Sequence, residues 1–138
     1  MGENLAEKIR LRKLLVLDSN EESRELLAYL FASHGYEVLE TKCAPEAWQA
    51  LRSENYDALV ASTVSLLTPG KAFLNAIQAE FPELAILAIS KTPSASLRKR
   101  LGALRVSYLE RPFPVEALAD AIRWPNLKNT EDNRAVPR

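Results

Sequence analysis

Five short segments rich in apolar or β-branched residues alternate with longer segments of helical spacing along this chain. The short segments are residues 13–17, 36–41, 58–62, 85–90 and 107–109. Several are nearly continuous apolar runs bounded by turn-forming residues, which is typical of strands buried on both faces of a parallel sheet. Each of the five segments is therefore predicted to form a strand.

The longer segments have the spacing of amphipathic helices. In the first, Leu26, Leu27, Leu30 and Phe31 recur at helical intervals and predict a single apolar stripe. Ser19 or Asn20 is suited to cap the start of this helix, and Gly35 to end it. Four further helices are predicted: one beginning at Pro45, one following Gly70, and two spanning 94–101 and 114–123.

Alternation of five strands with five helices predicts an α/β fold with helices on both faces of a parallel sheet. With right-handed crossovers, the commonest strand order for this count is the flavodoxin-like 2-1-3-4-5. We therefore expect a (βα)5 three-layer sandwich over residues 12–124. Residues 1–11 are predicted to be an N-terminal lead-in, and residues 125–138 a disordered tail or a linker.

Composition reduces the number of partners and cellular locations that the chain could have. The chain has 18 basic and 18 acidic residues, so no net charge attracts nucleic acid or a membrane surface. No secretory signal or transmembrane segment is predicted. The only cysteine, Cys43, excludes an internal disulfide and fits a reducing cytoplasm, where we expect the protein to be located.

Polar side chains stand where the predicted strands end. Because the carboxyl ends of parallel strands meet at one edge of the sheet, beside the point where the strand order reverses, these side chains are expected to share a pocket. We call it the strand-end pocket. Its predicted residues are Asp18 and Ser19 after the first strand, Ser62 at the end of the third, Ser90 at the end of the fourth, and Arg111 after the fifth.

Together with their spacing, these positions resemble the receiver domain of two-component response regulators, the CheY-like family, over about residues 12–123. In that family the third strand ends in a phosphorylatable aspartate and the first in two acids. The matching positions here are the segment 16–19, Ser62 with Gly70 eight residues later, Ser90, Tyr108, and Arg111-Pro112-Phe113 in place of Lys-Pro-Phe.

The departures from this pattern predict a pseudo-receiver. Ser62 replaces the acceptor carboxylate, and a serine hydroxyl is a weak nucleophile without a base to activate it. Ser19 replaces the second acid, so Asp18 alone should bind Mg²⁺ feebly. Arg111 is positively charged, but its planar fork does not reproduce a lysine ammonium. We expect no catalytic residue, no metal site and no cofactor. The resemblance also implies a cis peptide bond before Pro112.

The predicted function is therefore a protein–protein interaction module in a signalling pathway, acting without phosphorylation. Receiver domains resembling this one are contacted through residues equivalent to 97–123, which could also mediate a homodimer. We expect neither nucleic acid nor membrane as a partner. Within that segment the candidate partner face consists of Leu97, Arg98, Leu101, Leu104, Arg105 and Tyr108.

Three alternatives remain at this point. The chain could be an unorthodox switch, controlled by phosphorylation of a hydroxyl or by another ligand near the strand-end pocket. The pocket serines could instead serve only as caps of backbone groups. An enzyme of the same topology is disfavoured, because no glycine-rich loop follows Leu17 and the chain has one histidine.

Overall fold

A five-stranded parallel sheet is the centre of the molecule. The computed structural model describes residues 12–68, 70–111, 113 and 117. The strand order is β2-β1-β3-β4-β5, with every neighbouring pair parallel, which confirms the predicted flavodoxin-like topology. The strands are β1 Lys13–Leu17, β2 Glu37–Thr41, β3 Ala58–Ser62, β4 Ala85–Ser90 and β5 Ser107–Glu110.

Five helices connect or follow these strands in the described part of the chain. One of them, the four-residue α3, was not predicted from the sequence. The predicted helix 114–123, apart from Ala117, and the two terminal segments 1–11 and 125–138 lie outside the described residues. None of the described helices has the length and hydropathy needed to cross a membrane. The helices are α1 Glu21–Ser33, α2 Ala44–Ser53, α3 Thr63–Leu66, α4 Ala72–Glu80 and α5 Ala95–Ala103.

The core has two halves, one on each face of the sheet. Successive side chains of a strand point to opposite faces, so β1 contributes to both halves. Leu14 and Val16 pack with Leu27 and Phe31 of α1 on one face. The other face of β1 packs against residues of the remaining helices, which include Ala47, Leu51, Leu66, Leu74, Ile77 and Leu101.

Helix α1 has a narrower apolar stripe than its sequence predicts. Asn20 caps the helix, accepting a 2.8 Å hydrogen bond from the Ser23 amide. Ser23, Leu27 and Phe31, spaced by four residues, face the sheet and are buried. Leu26 lies to one side of that row and is 49% exposed, so the prediction of one stripe that includes Leu26 is wrong.

Candidate functional site

The ends of β1, β3 and β4 border a cavity of about 460 Å³. Asp18, Ser19, Ser62 and Ser90 all line it, as expected from the parallel arrangement of the strands. Lys91 also lines the cavity and is exposed. This cavity is the strand-end pocket, and its lining combines one carboxylate with several hydroxyl groups.

Among the described residues, Asp18 is the one acidic side chain that lines this pocket. It is 3% exposed, and its Oδ1 accepts a 3.0 Å hydrogen bond from the Asn20 amide. Its Oδ2 is buried and has no hydrogen-bond partner in the described part of the chain. A buried acceptor without a partner lowers stability, so Oδ2 is an unfavourable feature of the pocket as it stands.

The side chain of Ser62 is hydrogen-bonded to the backbone of a residue that follows it. Its Oγ accepts a 3.1 Å hydrogen bond from the amide of Ser65 and caps helix α3. The Oγ of Ser65 in turn accepts a 3.1 Å bond from the amide of Ser19. Helix α3 therefore begins directly after β3 and is linked to the end of β1. The sequence signal for this turn is the serine at the cap position, which sequence reasoning left as an open alternative.

Ser90 forms a small turn of its own. It is 4% exposed, and its Oγ donates a 2.8 Å hydrogen bond to the carbonyl oxygen of Thr92. The same Oγ lies 3.2 Å from the amide of Thr92, from which it accepts. Both bonds stay within the loop that follows β4, so this hydroxyl stabilises the pocket wall.

Arg111 is near the same edge of the sheet but does not line the cavity. Its amide donates a 2.9 Å hydrogen bond to the carbonyl oxygen of Ser90. Its guanidinium Nη2 donates a 2.6 Å bond to the Oγ of Ser23, a buried residue of α1. The positive charge is thus directed to α1. Pro112, before which a cis bond is expected, lies outside the described residues.

The leucines of the candidate partner face differ in exposure. Leu101 is 1% exposed and belongs to the core, because α5 directs it at the sheet. Leu101 is therefore not part of an exposed surface. Leu97 and Leu104 are half-buried and pack against the same core cluster.

Within the candidate partner face, Arg98 contacts Tyr108, and it also forms an ion pair with Glu110. Its guanidinium lies 4.9 Å from the centre of the Tyr108 ring and 3.5 Å from a carboxylate oxygen of Glu110. Tyr108 is half-buried, and its hydroxyl has no hydrogen-bond partner in the described part of the chain. Arg105 is exposed and adopts a positive φ of 65° just beyond Leu104, the C-cap of α5. Two arginines therefore dominate the accessible part of the face.

The strand-end pocket does not fit Mg²⁺, the ion that a receiver fold implies. Mg²⁺ requires near-octahedral oxygen ligands, usually with more than one negative group. Asp18 supplies one carboxylate, and the hydroxyls of Ser62 and Ser90 are already hydrogen-bonded. Among the residues the structure describes, no three His, Cys, Asp or Glu side chains are grouped to hold a metal ion.

Solved structures of receiver domains have the same fold as this chain. A response regulator receiver domain protein from Clostridium thermocellum is 20% identical, with a TM-score of 0.74 over 86% of this chain and 98% of that one. The signal receiver domain of an HD domain-containing protein from Pseudomonas fluorescens is 22% identical, with a TM-score of 0.75 over 88% and 100%. The chemotaxis response regulator CheY4 of Vibrio cholerae is 19% identical, with a TM-score of 0.71 over 83% and 98%.

No protein-family model and no curated protein sequence matches the chain. At identities near 20%, the structural likeness defines the fold. The chain therefore has the CheY-like receiver fold, a flavodoxin-like α/β sandwich with its polar pocket at the carboxyl ends of the strands.

Proposed function

We propose that the chain is a pseudo-receiver, a module of two-component-type signalling that binds protein partners without being phosphorylated on an aspartate. The observation that supports this proposal most directly is the hydrogen bond that the Ser62 side chain accepts. At the position where receiver domains have the acceptor carboxylate, this chain has a hydroxyl whose oxygen caps helix α3. The side chain at this position has a structural role in place of a chemical one.

The surroundings of Ser62 support the same proposal. A serine hydroxyl needs a general base, and Asp18, the carboxylate that lines the pocket among the described residues, is not hydrogen-bonded to Ser62. Its Oδ1 accepts from the Asn20 amide, and the Ser62 Oγ accepts from the Ser65 amide. The guanidinium of Arg111 donates to Ser23 and is not directed at the pocket. No described side chain is hydrogen-bonded to Ser62 so as to activate it, and Lys91, the cation among the described residues that line the pocket, is exposed to solvent. We propose that the module is not an enzyme.

The surface around α5 and β5 is the proposed binding site. Arg98 and Arg105 are exposed, and Tyr108 provides a half-buried aromatic ring beneath Arg98. Arginine and tyrosine are enriched at protein–protein interfaces, where both combine apolar contact area with hydrogen-bond donors. Arg98, Arg105 and Tyr108 do not line the strand-end pocket, so their use in binding does not require any chemistry at Ser62.

Partner capture with purified variants tests the proposal. Wild-type protein and an Arg98→Ala/Arg105→Ala variant are immobilised, exposed to extract of the source cells, and compared by quantitative mass spectrometry. We expect the double variant to lose a specific partner at least tenfold, while Asp18→Asn retains it and acetyl phosphate with Mg²⁺ changes nothing. Loss of the partner with Asp18→Asn alone, or binding that depends on acetyl phosphate, would contradict the proposal.

A second candidate function is a switch operated by phosphorylation of a hydroxyl in the strand-end pocket. The exposed Lys91 beside Ser62 and Ser90 favours it, because a phosphoryl group there would have a cation near it. Intact-mass analysis of protein purified from its own cells tests this switch. A phosphoryl group mapped to Ser62 by fragmentation would support it, and an unmodified chain under all growth conditions would contradict it.

A further inference from the structure

A groove beside α5 combines apolar walls with two cations. It has a volume of about 410 Å³ and lies where the segment after α3 meets the start of α4 and one side of α5. We call it the α5 groove. Lys71 and Arg100 are exposed at its edge, and neither forms an ion pair with any described residue. Its apolar walls are formed mainly by the half-buried Leu67, Leu97 and Leu104, and the buried core residue Leu101 also borders it.

Helix α1 has a surface of the opposite character. Leu26 is 49% exposed and Tyr29 is 69% exposed, and both face away from the core. Glu22 and Glu25 are exposed on the same side, because residues three, four and seven apart share one face of a helix. Neither glutamate forms an ion pair with a described residue. We call Glu22, Glu25, Leu26 and Tyr29 the α1 stripe.

The two surfaces differ in charge sign although the chain as a whole is neutral. Helix α5 has Arg98, Lys99 and Arg100 and no acidic residue. Helix α1 has three glutamates and one arginine, and that arginine, Arg24, is already paired with Glu40. Large exposed apolar side chains rimmed by charge are typical of association surfaces. The α1 stripe is therefore acidic and apolar, and the α5 groove is basic and apolar.

We infer that the α1 stripe of one molecule docks into the α5 groove of a second copy of this chain. Leu26 and Tyr29 would fill the apolar groove, while Glu22 and Glu25 would approach Lys71 and Arg100. A groove of this size accommodates a few large side chains, since ligand pockets commonly have volumes of about 300–1,000 Å³. The α5 groove shares leucines with the candidate partner face, but this inference rests on the charges and exposed side chains of the stripe and the groove, so it stands independently of the proposed function.

Contact between two different surfaces has a definite consequence for assembly. A docked pair retains one unused groove, on the molecule that gives its stripe, and one unused stripe, on the other molecule. Association is therefore head-to-tail and continues into short chains or a closed ring. The charge complementarity makes it sensitive to salt, because the Debye length falls from about 10 Å at 0.1 M to about 3 Å at 1 M ionic strength. A symmetric dimer through α5 and β5 would show neither growth beyond two chains nor any need for the α1 stripe.

Analytical ultracentrifugation of two complementary variants tests the inference. The stripe variant is Leu26→Ser/Tyr29→Ser, and the groove variant is Lys71→Glu/Arg100→Glu; all four positions are exposed. Between about 10 and 500 µM at low salt, we expect the average mass of wild-type protein to rise beyond two chains and to fall again at about 1 M salt. Each variant alone should remain monomeric, but their equimolar mixture should form a complex of two chains and no larger species.

Matched control variants distinguish this specific contact from nonspecific association. Leu39→Ser removes a leucine that is 44% exposed on β2, and Lys42→Glu/Arg52→Glu reverses two exposed charges elsewhere. Both controls should associate as wild type does, and circular dichroism should show unchanged folding in all variants. The inference is overturned if wild-type protein stays monomeric at low salt, if either the stripe or the groove variant associates alone like wild type, or if their mixture stays monomeric.

Discussion

The Oγ of Ser62 accepts a 3.1 Å hydrogen bond from the amide of Ser65, and this bond begins helix α3 at the carboxyl end of β3. Ser65 in turn accepts a hydrogen bond from the amide of Ser19 after β1. Ser19 and Ser62, which in the proposed pseudo-receiver stand at positions of acids, are thus connected through Ser65. Backbone-to-hydroxyl hydrogen bonds join the ends of β1 and β3 at this edge of the sheet.

The cap at Ser62 predicts a specific order of stabilities. Ser62→Ala should lower the free energy of unfolding by about 1 kcal/mol, because an alanine cannot accept the bond from the first turn of α3. Ser62→Asp should lose much less, since aspartate is as good a cap as serine. Urea denaturation measures both. Ser53→Ala, an exposed serine in the last turn of α2, is the control and should change stability by less than about 0.5 kcal/mol. Equal losses for the alanine and aspartate variants would contradict the capping role.

Tyr108 predicts a stabilising substitution. Its hydroxyl is buried without a partner in the described part of the chain, so Tyr108→Phe should raise the free energy of unfolding by about 1 kcal/mol. The ring remains, and with it the stacking of Arg98 at 4.9 Å. Thermal and urea denaturation should show the gain. Tyr29→Phe, at a residue 69% exposed, should leave stability unchanged. A loss of stability in Tyr108→Phe would show that the hydroxyl has a partner.

Strongly alkaline pH should lower the stability of the folded state through the titration of Lys13 and Tyr56. The hydrogen bond to Glu54 raises the pKa of Lys13, and the charge of Glu54 and Glu37 adds to this effect. Burial raises the pKa of Tyr56, whose ring lies 5.4 Å from the Lys13 ammonium. Both shifts favour the protonated form in the folded state. Their contribution to stability is therefore present below the unfolded values of about 10 and is lost as the pH rises through the folded values.

Ultraviolet titration of tyrosinate checks this prediction at Tyr56. Subtracting the curve of Tyr56→Phe from that of wild type should isolate one group that titrates above about pH 10. Glu54→Gln should move its midpoint down, because the charge of Glu54 contributes to the raised pKa. A midpoint below the ordinary tyrosine value would contradict the burial of this ring.

Introducing two acids into the strand-end pocket should create a binding site for Mg²⁺. Ser19→Asp/Ser62→Asp would bring the number of carboxylates near the pocket to three with Asp18, and this set of oxygen ligands suits Mg²⁺. We expect millimolar Mg²⁺ to raise the melting temperature of the double variant by several degrees and to leave that of wild type unchanged. Ca²⁺ and high NaCl are the controls for general charge screening. An equal Mg²⁺ effect on both proteins would mean that the wild-type pocket already binds the ion.

The alternation of strands and helices was predictable from the sequence because parallel strands buried on both faces produce distinct apolar runs. The shared position of Asp18, Ser19, Ser62 and Ser90 followed from topology alone. The orientation of the Arg111 side chain could not be predicted, because it depends on a hydrogen bond to Ser23, 88 residues away. Helix α3 was missed because four residues have too little periodicity to detect. The burial of Leu101 could not be decided, because a nine-residue helix leaves the orientation of its apolar face open.

Intact-mass spectrometry after incubation with acetyl phosphate and Mg²⁺ tests the central claim most directly. Wild-type protein should retain its mass, because the side chain at the end of β3 is the capping hydroxyl of Ser62 and the described part of the chain lines the pocket with one carboxylate. The Ser19→Asp/Ser62→Asp variant is measured in parallel, to show what the introduced acids add. An unchanged wild-type mass is the result we predict. A stable gain of one phosphoryl group on wild-type protein would contradict the proposal that this chain is a pseudo-receiver.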